Sequence, residues 1–311
     1  MRVLLTGASG FVGKAVLKAA LQHGYEIRAI YRSTVSAMGQ PEAIIISGLD
    51  GNADYSTALQ AVNLVIHAAA RAHIMQEDVT DPLAEYRRVN VVGTLNLARQ
   101  AAAAGVRRFV YISSIKVNGE ATLPGRPFTA DDIPDPKDAY GQSKYEAEDQ
   151  LKRLAQETGM EVTIIRPPLI YGPGVKGNFS SLIKLVRLGI PLPFGGVTHN
   201  CRSLVGLDNL VNLILVCTNH PQAANQTFLV SDGEDLSTAE LFRKIGLGLG
   251  RQVRLVWLPA ALISFMASLI GKKLISQRLL GSLRVDITKT CELLDWKPSV
   301  SVDEGMRRAT E

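Results

Sequence analysis

Tyr140 and Lys144 stand four residues apart in Tyr140-Gly141-Gln142-Ser143-Lys144, inside a stretch (residues 139–157) whose apolar spacing is helical. Positions i and i+4 of a helix share one face, so the phenol and the ammonium are neighbours. A nearby cation favours phenolate over phenol and brings a tyrosine toward the pH range in which it exchanges protons. Alone, this spacing is common and fits a solvated helix face. Two further features change its weight. Ser113-Ser114 closes a predicted strand, Arg108–Ile112, and offers a hydroxyl there. Thr6-Gly7-Ala8-Ser9-Gly10-Phe11-Val12-Gly13 links the apolar run Arg2-Val3-Leu4-Leu5 to a helical pattern over 11–23. In such a turn Gly7 permits the reversal, Gly10 lets a pyrophosphate approach, and Gly13 lets helix and strand pack closely. The first N–H groups of the helix then face the anion. The combination points to acid–base chemistry beside a bound dinucleotide.

A frame must bring these groups together across about 130 residues of chain. Residues 26–31, 43–46, 64–68, 108–112 and 161–165 read as strands, and 11–23, 82–104 and 139–157 as helices. Such alternation implies a parallel sheet covered on both faces. After Arg166-Pro167-Pro168 the pattern breaks, with Pro and Gly crowded into 167–196. The expected architecture is α/β, a Rossmann-type doubly wound parallel sheet with a smaller C-terminal substrate-binding lobe over the carboxyl ends of its strands. Residues 1–168 would form the first domain, with segments near 203–231 returning to it, among them Leu204–Val205 and Thr227–Val230. Residues 169–202 and 232–311 would form the lobe, helical from 235 onward.

Bulk properties narrow the classes. With 311 residues and 46% hydrophobic content, the chain can bury a large core. Strand pattern begins at once in Met1-Arg2-Val3, leaving no leader and suggesting a cytoplasmic protein. The most apolar stretch, residues 258–270, is too short to cross a bilayer. It reads as a buried helix; Lys272-Lys273 after it leave an interfacial helix as the alternative. Cys201, Cys217 and Cys291 share no short spacing, so neither a zinc site nor a disulfide frame is expected. The net charge of +5 is spread along the sequence, which suits a small anionic substrate better than nucleic acid.

The motifs resemble those of extended short-chain dehydrogenase/reductases, specifically the nucleotide-sugar epimerase/dehydratase family, over essentially the whole chain. The resemblance rests on Thr6–Gly13, His67-Ala68-Ala69-Ala70, Asn90, Ser113–Gly119, Tyr140–Lys144, Arg166–Gly174 and Arg202. It implies Ser114, Tyr140 and Lys144 as catalytic, Ser114 being chosen over Ser113 because Val117-Asn118-Gly119 stands where relatives have Val-Tyr-Gly. Tyr140 would exchange a proton with a sugar hydroxyl while the nicotinamide exchanges a hydride with the same carbon. Ser114 would bond that oxygen, and Lys144 would lower the tyrosine pKa and hold the nicotinamide ribose. Asn90 would support the proton network. His67 reads as a packed strand-end residue, not an acid or base. The family's dehydratases carry an acidic pair directly after the catalytic hydroxyl residue. Ile115 and Lys116 stand there in this chain, so water elimination is not expected. Two roles are open to Lys116, contact with a substrate phosphate and a solvated side chain.

The same resemblance implies a cofactor site of Gly7, Gly10, Phe11, Val12, Gly13, Tyr31, Arg32, Ser33, Gly48, Leu49, Ala68, Ala69, Ala70, Asn90, Tyr140, Lys144 and Pro167. An acidic residue after the second strand would bond the adenosine ribose and favour NAD. Arg32 and Ser33 stand there with Arg28 near, and a guanidinium suits a 2′-phosphate. NADP(H) is therefore favoured over NAD(H), with stacking of Arg32 on adenine as the alternative. Gly48-Leu49 replaces an Asp-containing adenine contact, which Asp50 stands near enough to substitute. On the substrate side Asn178 and Arg202 match diphosphate contacts and Phe194 a uracil-pocket segment. Arg278 lies two residues beyond a family arginine whose own place holds Ser276, and Leu169 replaces an asparagine of the galactose-type epimerases.

Two reactions share these residues. A 4-ketoreductase of a UDP-4-keto-6-deoxy-N-acetylhexosamine would use exchangeable NADPH; Arg32 and a likeness to bacterial O-antigen and capsule enzymes of surface-polysaccharide (lipopolysaccharide) biosynthesis favour it. A UDP-hexose or UDP-N-acetylhexosamine 4-epimerase would keep NAD tightly bound. A third reading is a non-catalytic NADPH-sensing protein. The family further implies a homodimer paired through helices 82–104 and 139–157, a UDP-sugar partner and no membrane span.

Overall fold

The computed structural model describes residues 1–34, 42–72, 81–269 and 279–311. Its centre is a seven-stranded, all-parallel sheet: β1 (Arg2–Thr6), β2 (Glu26–Tyr31), β3 (Ala43–Ile45), β4 (Leu64–His67), β5 (Arg108–Ile112), β6 (Glu161–Arg166) and β9 (Thr227–Leu229) in the order β3-β2-β1-β4-β5-β6-β9. The inner strands are continuous apolar runs because both faces are covered; β4 and β5 are buried at every position. Helices Phe11–Gln22 and Leu207–Asn219 cover one face around Val16, Leu210 and Ile214. Helices Thr94–Ala103 and Ala139–Thr158 cover the other through Leu97, Ala98, Ala147 and Leu151. The strand order reverses at β1, which pairs with both β2 and β4. The crevice at the carboxyl ends of the strands there is where open α/β sheets bind ligands.

Three sequence expectations change. The helix expected over 82–104 is interrupted by a wide π-helical stretch, Arg87–Gly93, between Pro82–Tyr86 and Thr94–Ala103. Such insertions recur at functional sites, and this one carries Asn90. Leu204–Val205 does not return to the large sheet. It lies in β8 (Arg202–Gly206), which pairs with β7 (Leu169–Tyr171) and β10 (Asp235–Leu236) in a separate three-stranded sheet. The Pro167-Pro168 break lets β7 leave the large sheet, and β8 follows its new partner. Thr227–Leu229 does join the large sheet, beside β6. The C-terminal segment is also not wholly separate. Leu294 and Trp296 sit in the same buried cluster as Val16 and Val230, and Trp296 Nε1 donates to Asn212 Oδ1 at 2.7 Å.

A second core of Phe179, Phe194, Leu241, Phe242, Ile245 and Met306 fills the C-terminal lobe. Its helix Ala260–Leu269, expected to be buried, hides Ile263 but leaves Leu262, Phe265 and Met266 exposed. Among the described residues no helix is long and apolar enough to cross a membrane.

Candidate active site

The glycine turn lies directly at the switch point. Gly7 has φ +74°, and a Cβ there would meet the Ala68–Ala69 backbone at 2.7 Å, so β1 and β4 approach too closely for a side chain. A Cβ on Gly13 would fall 2.0 Å from the Gly7 carbonyl oxygen, which explains the close passage of helix under turn. Gly10 is exposed and caps helix Phe11–Gln22 with no side-chain hydrogen bond, leaving the first-turn N–H groups of Phe11 and Val12 to an external acceptor. Thr6 Oγ1 accepts from Ala69 N at 3.3 Å and fixes the Ala68-Ala69-Ala70 wall. An open, side-chain-free cradle at a helix start fits a dinucleotide pyrophosphate.

Ser114 follows β5 with extended backbone and is partly exposed, its Oγ accepting from Lys116 N at 3.3 Å. Ser113 points the opposite way. Its hydroxyl is buried and donates to Glu148 Oε1 at 2.5 Å. The alternation of a strand end thus separates the two adjacent hydroxyls, one inward and one toward the crevice. Pro167 holds the turn through its carbonyl, which accepts from Ile115 N at 3.0 Å.

Tyr140 opens helix Ala139–Thr158 with Asp138 as its cap, whose Oδ1 accepts from Gly141 N at 2.7 Å. A Cβ on Gly141 would lie 2.8 Å from the Lys116 carbonyl, so the helix start sits tightly against the Ser114 turn. Lys144, one turn on, is buried; its Nζ donates to Ile112 O at 2.8 Å, lies 4.5 Å from the Tyr111 ring centroid and 6.0 Å from that of Tyr140. Burial lowers the Lys144 pKa to about 7, with Glu148 opposing. The expected lowering of the Tyr140 pKa is not what this arrangement produces. Burial raises the phenol above its usual range, and Asp138 and Tyr86 add to the rise, while the ammonium is engaged by Ile112 and Tyr111. The phenol is therefore held protonated in the neutral range.

The pKa of Lys144 has a consequence for stability. An unfolded lysine keeps its proton to about pH 10.4, so between about pH 7 and pH 10 the unfolded chain binds the extra proton. Stability withheld by burying the ammonium returns as pH rises through that window. Lys144→Met should raise the melting temperature most near pH 6 and progressively less toward pH 9. A difference independent of pH would mean that Lys144 titrates as in solvent.

Asn90 acts as a buried bridge. Its Oδ1 accepts from Arg71 N at 2.8 Å, and its Nδ2 donates to Arg71 O at 3.1 Å and to Ser143 Oγ at 3.0 Å. Ser143 Oγ donates in turn to Tyr140 O at 2.8 Å. The segment after β4, the π-helical stretch and the Tyr140 helix are thereby locked in one register. The Lys116 ammonium, partly exposed, pairs with Asp138 and lies 3.3 Å from Glu120. His67 is packed, hydrogen-bonded to Thr6 Oγ1 at 2.7 Å and Thr94 Oγ1 at 3.0 Å, and burial drives its pKa down to about 3.

A profile of the NAD dependent epimerase/dehydratase family matches residues 3–231. The chain belongs to that family. A UDP-glucose 4-epimerase from Vibrio cholerae is 46% identical over 312 residues, 99% of this chain and 94% of its own length. An N-acetyl-alpha-D-glucosaminyl-diphospho-ditrans,octacis-undecaprenol 4-epimerase from Escherichia coli O157:H7 is 28% identical over 87% of this chain and 81% of its own. The crystal structure of a UDP-N-acetylglucosamine 4-epimerase from Bacillus cereus shares the fold with a TM-score of 0.81 at 19% identity, covering 100% and 98% of the two chains.

Other positions singled out from sequence are placed as follows. Tyr31 ends β2 with its ring in the core, and Arg32 and Ser33 follow on exposed backbone. Arg28 is committed elsewhere, donating to the carbonyls of Thr57, Ala58 and Gln60. The Gly48-Leu49 backbone packs on Gly93, where a Cβ would meet Leu49 O at 2.3 Å, and Asp50 Oδ1 accepts from Asn52 N within its own loop. Phe194 is a buried ring of the lobe core, stacked on Phe242 at 4.9 Å between ring centroids. Arg202 donates to Gly281 O at 3.2 Å. Asn178 opens helix Asn178–Arg187, and its side chain, like the whole of Arg278, lies outside the described residues.

Sequence reading missed Tyr86, Tyr111, Ser143 and the pair Glu148–Arg166. Tyr86 sits edge-on to Tyr140 at 5.9 Å between ring centroids, and Tyr111 lies between His67 and Lys144. Glu148 follows Lys144 by four residues, a spacing that signals contact on one helix face. The unusual Asn118 is also explained, since its Oδ1 accepts from Arg166 Nη1 at 3.0 Å.

Proposed function

We propose that this protein is a 4-epimerase of a UDP-hexose or UDP-N-acetylhexosamine that keeps NAD bound through the reaction. The 46% identity to the Vibrio cholerae UDP-glucose 4-epimerase over nearly the full chain carries the reading. The arrangement of Ser114, Tyr140 and Lys144 beside an open dinucleotide turn supports it, and argues against a binding protein without activity. The nicotinamide, when bound, supplies reversible hydride exchange at C4. Tyr140 Oη passes a proton to and from the C4 oxygen: the phenol gives it up when the 4-keto group is reduced, and the phenolate so formed takes it back when the C4 hydroxyl is oxidised. Ser114 Oγ donates a hydrogen bond to that oxygen, and the Lys144 ammonium steadies the ribose side. The Gly7–Gly13 turn holds the pyrophosphate, and Arg202 with Asn178 anchors the substrate diphosphate. Such positioning supplies a large part of the rate. The dehydratase pair is replaced by Ile115 and an ion-paired Lys116, so water elimination has no acid–base pair at that place. A homodimer through the two long helices, and work on sugars for surface polysaccharides, belong to the same proposal.

Arg32 supports a second reading, reduction of a UDP-4-keto-6-deoxy-N-acetylhexosamine by exchangeable NADPH. The protein is incubated with UDP-glucose and UDP-N-acetylglucosamine without added cofactor, and separately with the keto sugar plus NADPH. Interconversion of gluco and galacto forms without net cofactor change is expected. Stoichiometric NADPH oxidation without interconversion would hand the case to the reductase. For the cofactor itself, the epimerase reading expects Arg32→Ala to weaken NADH and NADPH alike, as stacking on adenine requires. A selective loss of NADPH affinity in paired titrations would instead assign the guanidinium to a 2′-phosphate.

A further inference from the structure

The outer end of the C-terminal lobe combines two properties that neither the sheet nor the active site uses. It is apolar where exposed. Trp257 is 71% exposed, Leu188 68% and Phe265 59%, with Ile190, Leu262 and Met266 also open to solvent. These residues lie on neighbouring segments. Leu192, just after Ile190, pairs with the strand before Trp257, donating from its N–H to Arg254 O at 2.9 Å and accepting from Val256 N at 2.8 Å. Trp257 then leads directly into helix Ala260–Leu269, where the exposed Leu262, Phe265 and Met266 stand at i, i+3 and i+4 on one face, flanked by the buried Ile263. Monomeric proteins seldom leave so many large apolar side chains together without a partner.

The same end is cationic. No acidic residue occurs between Glu161 and Asp208, or between Glu240 and Asp286, whereas these two segments hold five and eight of the chain's 34 Lys and Arg. All 29 Asp and Glu lie elsewhere, so the remainder of the chain is net acidic. Read along the sequence the positive charge is diffuse; in the fold Arg166 pairs with Glu148 in the large sheet, and Lys244 and Arg284 pair with Glu234, Asp303 and Asp235, while exposed cations of both segments meet at this end of the lobe. Lys184, Arg187, Arg251 and Arg254 are exposed beside the apolar residues, and Arg251 Nη1 donates to Arg187 O at 3.0 Å, which places the two segments in contact.

We propose that this end of the lobe is a peripheral docking surface for an anionic lipid bilayer. Trp257, Phe265, Leu262 and Met266 enter the headgroup–acyl boundary, and the surrounding arginines and lysines meet anionic headgroups. Exposed aromatic and aliphatic side chains ringed by cations are the composition that holds interfacial helices in the plane of a membrane. The surface uses none of the residues assigned to the cofactor turn or to the Ser114, Tyr140 and Lys144 group, so the proposal stands whichever sugar the site accepts.

Trp257 supplies its own probe, because the only other tryptophan, Trp296, is buried. The full-length protein is mixed with vesicles of phosphatidylglycerol and phosphatidylcholine, and with pure phosphatidylcholine vesicles. The anionic vesicles should co-sediment the protein and shift Trp257 emission to the blue, and 0.5 M salt should weaken both effects. Trp257→Ser with Phe265→Ser, and separately Arg251→Glu with Arg254→Glu, should each lower the bound fraction at least tenfold while turnover in solution is unchanged. Absence of binding to anionic vesicles, or equal binding of the charge-reversal variant, would overturn the proposal. So would a change of oligomeric state in the Trp257→Ser, Phe265→Ser variant without any vesicle binding by the parent, which would assign the surface to a second copy of this chain.

Discussion

Tyr140→Phe should lower UDP-sugar interconversion by about 10²–10⁴-fold, the weight of a positioned acid–base group, with the fold and nicotinamide affinity retained. The substitution is narrow. The ring packs edge-on to Tyr86 and lies 6.0 Å from the Lys144 ammonium, and phenylalanine keeps both relations. What disappears is a phenol whose burial, with Asp138 and Tyr86, holds it protonated in the neutral range. The helix cap at Asp138 and the Ser143–Tyr140 backbone contact do not involve that hydroxyl. The two measurements are initial rates from both sugar epimers and a fluorescence titration of NADH. Near-normal turnover would remove Tyr140 from the reaction, whereas loss of both turnover and cofactor affinity would indicate misfolding of the helix start.

Glu148→Gln should destabilise the protein by about 3–5 kcal/mol, the cost of leaving a buried charge unpaired. Glu148 and Arg166 are both essentially inaccessible. The guanidinium donates to the carboxylate at 2.5 Å from Nη2 and 3.0 Å from Nε, and its third arm is taken by Asn118. A glutamine cannot neutralise Arg166, and it also loses the charge-assisted bond from Ser113 at 2.5 Å. Because Ser113 sets the direction of Ser114, catalysis should fall as well. A Glu148→Met, Arg166→Met double variant removes both charges and should recover much of the lost stability in urea unfolding. A single-variant loss below about 1 kcal/mol would show that the pair is solvated in the native state.

Much of this protein was legible along the chain. The glycine turn, the continuous apolar strands and the i, i+4 spacing of Tyr140 and Lys144 are local signals, and short-range geometry alone dictates what they build. From them come the α/β class, the parallel sheet and the helix face that carries the phenol and the ammonium. Other features depended on which segments meet. The sequence does not distinguish Ser113 from Ser114 by type; the strand end turns one toward Glu148 and the other toward the crevice. Lys116 reads as a free cation until Asp138, 22 residues on, is brought to it. Phe194 shows nothing in sequence of its stacking on Phe242, 48 residues on. Leu204–Val205 has the pattern of any buried strand, and only its pairing with Ile170 assigns it to the smaller sheet. The positive charge looks diffuse in sequence, and only the contact of Arg251 with the Arg187 carbonyl brings exposed cations of two distant segments to one end of the lobe. Local periodicity is written in neighbouring residues, but burial, pKa and charge density are set by partners far away in the chain, so these were decided only by the tertiary structure.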